Sequence, residues 1–433
     1  MGLLALILAV VSVANASQLR PRDYSGCNPL DNLGHLGTSD GNRKIAFVID
    51  SSGSMFENDF EGMRLQAAIA LNNMYLVSKE KAKPGQTPDL LTVIDFNDEA
   101  SVIYDLGNPG SAANEVIANI MPDGGTWIGE GVRAAVEELS KPGSGETSGR
   151  SGIIILTDGV DDPSDRATQT IEEIKAAGEK GIRVSMGYMA IGGATGDEFA
   201  PEQNVAIHDA VITTGGTMGR VDTAQAIGSF LVEATMKGLT DSDKGNQGDV
   251  LDLIGGVTTS AKLKTDGPNV FRYRIFKDET ITINVTALEK FAPLKLVLRA
   301  SPSNTDLKTA ETNDDGVAIL EYKGASESDL SLEVSSSVTD AKGVFIIGLK
   351  SNIDCSKDPA RQSSPANSSI PVIAPTNPSF VPSRTVVPSV TNWTMPGPTE
   401  TVSVVPFPGA TGARSAPAGL GWLGSMVVAL LAL

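Results

Sequence analysis

Two strand-like runs end in acids followed by small polar residues. The run KIAFVID leads into Asp50-Ser51-Ser52-Gly53-Ser54, and GIIILT leads into Asp158-Gly159. Alternate residues of the first loop, Asp50, Ser52 and Ser54, can turn three oxygens toward one point. Between the two stretches lies a third short loop, Gly124-Gly125-Thr126. Carboxylates and hydroxyls are hard donors, which suit Mg²⁺, Mn²⁺ or Ca²⁺ rather than zinc. Other chemistry is poorly supplied. The only histidines, His35 and His208, lie far apart, and there is no HExxH, GxSxG or GxxxxGK[ST] pattern. A hydrolase using an ion as Lewis acid would need a general base beside it, and no His or spare Glu is placed for that role. The expectation is therefore a non-enzymatic protein.

The elements that position these loops alternate. Strands are expected at Lys44–Asp50, Leu90–Phe96, 101–106, 152–157, 183–191 and Met218–Val221. Helical spacing covers 60–79, 112–120, Ile128–Leu139, 166–177, 205–214 and 224–237. Strands alternating with helices argue for a doubly wound, mainly parallel α/β sheet. In such sheets ligands bind outside the carboxyl ends of the strands, where the strand order reverses. After 238–248 the rhythm becomes period two: TITINVT, then Leu294, Leu296 and Leu298, then Leu330, Leu332 and Val334. Further strands are expected at 270–276, 317–322 and 344–349, so residues 249–352 read as an all-β sandwich. The turn Asp314-Asp315-Gly316 reads as a plain turn.

The motifs now have a family likeness. Residues 44–237 resemble the von Willebrand factor type A domain, a Rossmann-like fold. DSSGS resembles its DxSxS motif, GGT the loop carrying its metal-binding Thr, and LTDG the loop with its second Asp. LLTVIDFNDEA and ITTGGTMGRV are similar to family segments as well. The resemblance implies a central first strand flanked by the second and fourth, which brings the three loops together at a metal-ion-dependent adhesion site. It further implies that Ser52, Ser54 and Thr126 bind the ion directly, that Asp50 and Asp158 act largely through water, and that an open position accepts a partner's Asp or Glu. Trp127 follows the metal-site Thr, as an aromatic rim to the ligand site or as a residue packed inward. Glu57, Asn58 and Asp59 stand where integrin β subunits carry a second cation site, but the match is poor and a solvated acidic turn is expected. A type A domain with a β-rich domain after it is loosely similar to calcium-activated chloride channel regulators and to calcium-channel α2δ subunits. The metalloprotease domain of the former and the sensor domains of the latter have no counterpart here.

Charge and chain ends suggest a compartment. With 34 Lys+Arg against 52 Asp+Glu, the formal net charge is −18. That balance repels phosphate backbones, so nucleic acid is not an expected partner. Residues 3–13 are apolar and Ala14-Asn15-Ala16 is a small-x-small site, so 1–16 read as a secretory signal peptide, followed by an N-terminal segment at 17–43. Residues 420–433 are apolar and lie after the small residues Gly409, Ala410, Gly412 and Ser415. Residues 409–433 thus read as a glycosylphosphatidylinositol (GPI) attachment signal, with Gly409, Ala410 and Gly412 the favoured attachment region. About half of 356–408 is Ser, Thr or Pro, a disordered stalk that cannot bury a core. Cys27 and Cys355 are the only cysteines, an even pair expected to form a disulfide in an oxidising compartment. Asn284, Asn367 and Asn392 head N-glycosylation sequons, Asn284 on the polar face of its strand.

The combined expectation is a cell-surface adhesion or ligand-binding protein whose Mg²⁺, Mn²⁺ or Ca²⁺ holds an acidic residue of a protein partner. It would sit on the outer face of the plasma membrane through a GPI lipid, or in the cell wall. The alternatives are a wall or matrix protein whose metal only stabilises the fold, and a channel-regulating surface subunit.

Overall fold

A computed structural model describes residues 40–353, apart from 160, 162–164, 190–203, 222, 224–225, 244–249, 290–292 and 339–340. The signal peptide, Cys27, Cys355, Asn367, Asn392, the stalk and Gly409, Ala410 and Gly412 lie outside the described residues.

Strand β1 (Lys44–Asp50) is buried along its whole length, as is β4 (Ser151–Thr157). Both are continuous apolar runs rather than alternating ones because both faces of the sheet are covered. Ile45, Phe47 and Ile49 face one core with helices α2 (Met63–Met74), α3 (Ser111–Ala118) and α7 (Ile227–Lys237). Ala46 and Val48 face the other, with α4 (Ile128–Leu139), α5 (Arg166–Glu179) and α6 (Val205–Thr213). β1 pairs in parallel with β2 (Leu90–Phe96) on one side and β4 on the other. The chain therefore reverses its winding direction at β1. β3 (Ala100–Gly107) adds antiparallel to β2, while β5 (Ile182–Met189) and β6 (Met218–Val221) continue in parallel beyond β4.

Helix α4, which follows the Gly124-Gly125-Thr126 loop, buries Ile128, Val132, Ala135, Val136 and Leu139 at helical spacing. It lies close on the sheet: a Cβ on Gly131 would stand 2.7 Å from Val48 Cγ1 and 3.2 Å from the Phe96 ring. That close approach fixes the height of the Thr126 loop above the strand ends.

Residues beyond 249 do not build an isolated body. β8 (Val257–Lys262) pairs antiparallel with β6, and β15 (Val344–Ser351), β10 (Thr280–Ala287) and β13 (Val317–Lys323) extend the same sheet to ten strands. A second sheet has the order β12 (Thr305–Glu311), β11 (Leu294–Ser301), β14 (Ser328–Ser336), β9 (Asn269–Ile275), β7 (Val250–Asp252). The alternating apolar residues meet between the two sheets: Ile281, Ile283, Phe345 and Ile347 face Leu296, Leu298, Leu332 and Phe271. This half is a sandwich, and one of its sheets is continuous with the α/β sheet. The seam supplies β6, which has only four residues, with the partner that an edge strand would otherwise lack.

Candidate metal centre

Asp50 is the last residue of β1, and Asp158 directly follows β4. Because Ile49 pairs with Leu156, the two strand ends lie side by side. The loop after β1 folds over this point into a single helical turn, α1 (Met55–Asn58). Ser52 N donates to Asp50 Oδ1 at 2.7 Å, Ser52 Oγ lies 3.1 Å from Ser54 Oγ, and Ser54 Oγ donates to Asp158 Oδ1 at 3.0 Å. One hydrogen-bonded chain thus joins four of the five expected ligand residues. The fifth is brought in by backbone contacts: Gly53 N donates to the Gly124 carbonyl at 3.0 Å, and Asp123 N to the Ser51 carbonyl at 2.6 Å. Thr126 Oγ1 would stand 2.9 Å from a Cβ on Gly159, so glycine after Asp158 is what admits the threonine hydroxyl. Asp50, Ser52, Thr126 and Asp158 are buried, while Ser54 is exposed.

Three residues outside the motif hold it. Thr157 Oγ1 donates to Asp50 Oδ2 at 2.5 Å, and Asn58 Nδ2 donates to Asp158 Oδ2 at 2.7 Å. Arg64 Nε donates to the Asp50 carbonyl at 2.8 Å, which pins the end of β1 from α2. Asp59 is not the solvated residue expected from sequence. It is buried, pairs with Arg64 Nη1 at 2.7 Å and accepts from Met63 N and Arg64 N, closing the first turn of α2. Glu57 is exposed, as expected for that turn. Asn58 was read from sequence only as part of a solvated turn, and no sequence signal marked Thr157 or Arg64 as supports of the site, each a single polar residue without a spacing pattern.

Trp127 is half-buried, with the Arg166 guanidinium 4.4 Å above its ring centroid. Arg166 also lies 3.7 Å from Asp98, whose carboxylate accepts from Gly125 N at 2.7 Å. Asp161, which the sequence reading did not single out, is buried and accepts from Ile128 N at 2.7 Å, capping α4 directly behind Thr126.

The electrostatics suit a cation. Among the described residues neither Asp50 nor Asp158 forms an ion pair with Lys or Arg. Burial, and then the nearby Asp158 carboxylate, push Asp50 up to about 6. Burial also raises Asp158 above the usual carboxylate range. Two close, buried acids with no Lys or Arg ion pair are costly, and the nearby Arg64 charge offsets only part of that at Asp158. A divalent ion held by their carboxylates and by the Ser52, Ser54 and Thr126 hydroxyls would offset that cost, so the donor set fits a hard cation. Among the described residues, no three His, Cys, Asp or Glu side chains cluster to hold a metal elsewhere. No helix of the described residues is long and apolar enough to cross a membrane.

Residues 44–197 match the family model of the von Willebrand factor type A domain. No curated protein matches the chain. Among solved structures, the chain is similar to the conserved hypothetical protein BatB from Bacteroides thetaiotaomicron at 21% identity, over 45% of this chain and 99% of that one, with a TM-score of 0.32. It is also similar to proximal thread matrix protein 1 from the mussel byssus, in a structure with a zinc-occupied MIDAS motif, at 17% identity over 44% of this chain and 46% of that one, TM-score 0.32. A third is the pilus adhesin SpaC from Lactobacillus rhamnosus GG, at 15% identity over 72% of this chain and 40% of that one, TM-score 0.34. The chain spans less than half the length of these last two proteins.

Proposed function

We propose that this chain is a cell-surface, non-enzymatic binding protein that uses a divalent cation to hold a carboxylate of a protein partner. Asp50, Ser52, Ser54, Thr126 and Asp158 would hold the ion, which is Mg²⁺, Mn²⁺ or Ca²⁺ by donor type. When bound, the ion would supply the positive charge that attracts an acidic side chain. The observation that carries this reading is the pair of buried carboxylates, Asp50 and Asp158, which share a chain of hydroxyls and have no Lys or Arg ion pair among the described residues. With three neutral hydroxyls as direct ligands and two carboxylates acting largely through water, the ion would remain able to accept an anionic oxygen from outside.

The surface beside the site favours a macromolecular partner over a small ion alone. On α1 and just after it, Phe56 is 64% exposed and Phe60 77% exposed, with their rings edge-to-face at 6.0 Å. Met121, three residues before Gly124, is also exposed. Large apolar side chains in water beside a candidate ligand site are the usual mark of a binding surface. The sequence outside the described residues extends the proposal: a signal peptide at 1–16, a Ser/Thr/Pro stalk at 356–408 and a GPI signal at 409–433 would tether the binding region to the outer face of the membrane. A Cys27–Cys355 disulfide would tie the two ends of the folded region together.

The test is capture of proteins from a cell-surface extract by the full chain, with Mg²⁺ or Mn²⁺ and with EDTA, for wild type and Thr126→Ala. The expected result is one captured species lost both with EDTA and in the variant. Capture indifferent to both contradicts the proposal, and metal-dependent stability without any capture assigns the ion to the fold alone.

A further inference from the structure

The sandwich half of the ten-stranded sheet ends at β13, an edge strand whose only ladder partner among the described residues is β10. Residues 281, 283, 285, 318 and 320 of these strands point into the core, so Asn284 and Ile319 point outward. The two are direct cross-strand partners, and side chains opposite one another in an antiparallel pair stand on the same face about 5 Å apart at Cβ. Asn284 is the one exposed residue of β10. Ile319 is 59% exposed, one of few large apolar residues left in water among the described residues. On the other flank of Asn284 the register places Gly348 of β15, where a Cβ would stand 2.5 Å from Thr258 Oγ1. A group attached to Asn284 therefore has no side chain at 348 beside it and has Ile319 on its open flank. Asn284-Val285-Thr286 is an N-glycosylation sequon.

We propose that Asn284 carries an N-linked glycan whose first sugar lies over Ile319 and shields the open face of the β13 edge strand from association with another chain. The step is a glycosyl transfer from a lipid-linked oligosaccharide diphosphate. The Asn284 amide nitrogen forms the new N-glycosidic bond and the sugar–phosphate bond breaks. The lipid diphosphate leaves with the electron pair, and the amide proton passes to the transferase. Transfer to the unfolded chain meets no obstacle from the strand that forms afterwards. A pyranose ring has an apolar C–H face, and an aliphatic side chain at cross-strand distance is a surface for it. An exposed apolar residue on the open face of an edge strand is otherwise a site for association with another chain. The edge already has one guard, since Lys308 Nζ on β12 donates to the Glu321 carbonyl of β13 at 2.7 Å. This guard stands at the edge itself, whereas Ile319 lies on the open face. The inference is independent of the cation site.

The experiment expresses the full chain, with its own N-terminal segment, in a eukaryotic secretory host. Enzymatic deglycosylation in H₂¹⁸O followed by peptide mass mapping reads the modification at residue 284, and light scattering reads self-association. The expected result is a mass tag at Asn284 in most molecules, and a several-fold rise in self-association for Asn284→Gln. Thr286→Ser, which keeps the sequon, should behave as wild type. Adding Ile319→Thr to Asn284→Gln should return the protein to the wild-type state. Recovery of a chain unmodified at Asn284 overturns the site. A modified Asn284 whose loss leaves self-association unchanged, or whose effect Ile319→Thr does not reverse, overturns the shielding role.

Discussion

Replacing Asp50 with Asn separates charge from shape at the centre of the site. In the metal-free protein, burial and the neighbouring Asp158 carboxylate raise Asp50 from 3.8 to about 6. Its folded value thus lies above its unfolded one, and the folded state holds the proton more tightly. The stability contributed by that proton is present at about pH 4 and is lost as pH rises through about 6. The size of the loss follows from the shift, at ~3 kcal/mol. Asparagine keeps the size of the side chain. Its carbonyl can accept from Ser52 N, and its amide can donate to the Thr157 hydroxyl in place of the bond that hydroxyl now gives. In EDTA, Asp50→Asn should therefore match wild type at about pH 4 and be more stable than wild type by up to ~3 kcal/mol at about pH 7.5. Millimolar Mg²⁺ should reverse the order at the higher pH, because only wild type gains binding energy. Urea unfolding at both values, with and without the ion, measures all four differences. A wild-type-minus-variant difference that does not change with pH in EDTA would refute the reasoning, because Asp50 would then carry no penalty for a cation to offset.

Two other perturbations address the scaffold and the surface. Arg43→Met removes a buried guanidinium that bonds Asp89 at 3.0 Å and Asp243 at 3.1 Å, tying β1 and β2 to the chain after α7; taking the guanidinium from the buried Asp89 carboxylate should cost ~3–5 kcal/mol, measured by chemical unfolding. Phe56→Ala with Phe60→Ala should leave stability within about 0.5 kcal/mol, since both rings are largely in water, while partner capture in Mg²⁺ should fall at least tenfold.

The legible parts of the sequence were those where one local rule decides. β1 and β4 announce themselves as unbroken apolar runs because both faces are buried, and the Ile128–Leu139 helix repeats its apolar residues at one spacing. The oxygen-bearing loops are readable for the same reason: each abuts such a run, and the fold brings their backbones together. Strands β8, VTTSAK, and β12, TDLKTAE, carry too little apolar pattern to be seen. β12 lies at the edge of its sheet and is largely exposed. The continuity of the sheet through β6 and β8 was not legible because it rests on pairing between residues some forty positions apart, which no local pattern encodes. Asp59 read as a solvated acid because its partner, Arg64, is recognisable only once α2 has formed. Trp127 was left between rim and interior, and the structure gives it a third setting beneath Arg166, a long-range neighbour.

The central claim is that five oxygens on three loops hold a divalent cation. Calorimetric titration of Mg²⁺, Mn²⁺ and Ca²⁺ into the metal-free full chain tests it most directly, with wild type, Asp50→Ala, Ser52→Ala and Thr126→Ala compared under identical conditions. The account predicts saturable uptake of a single ion by wild type, loss of uptake in Asp50→Ala with the fold retained, and weaker uptake in Ser52→Ala and Thr126→Ala. Equal uptake by wild type and Asp50→Ala would contradict it.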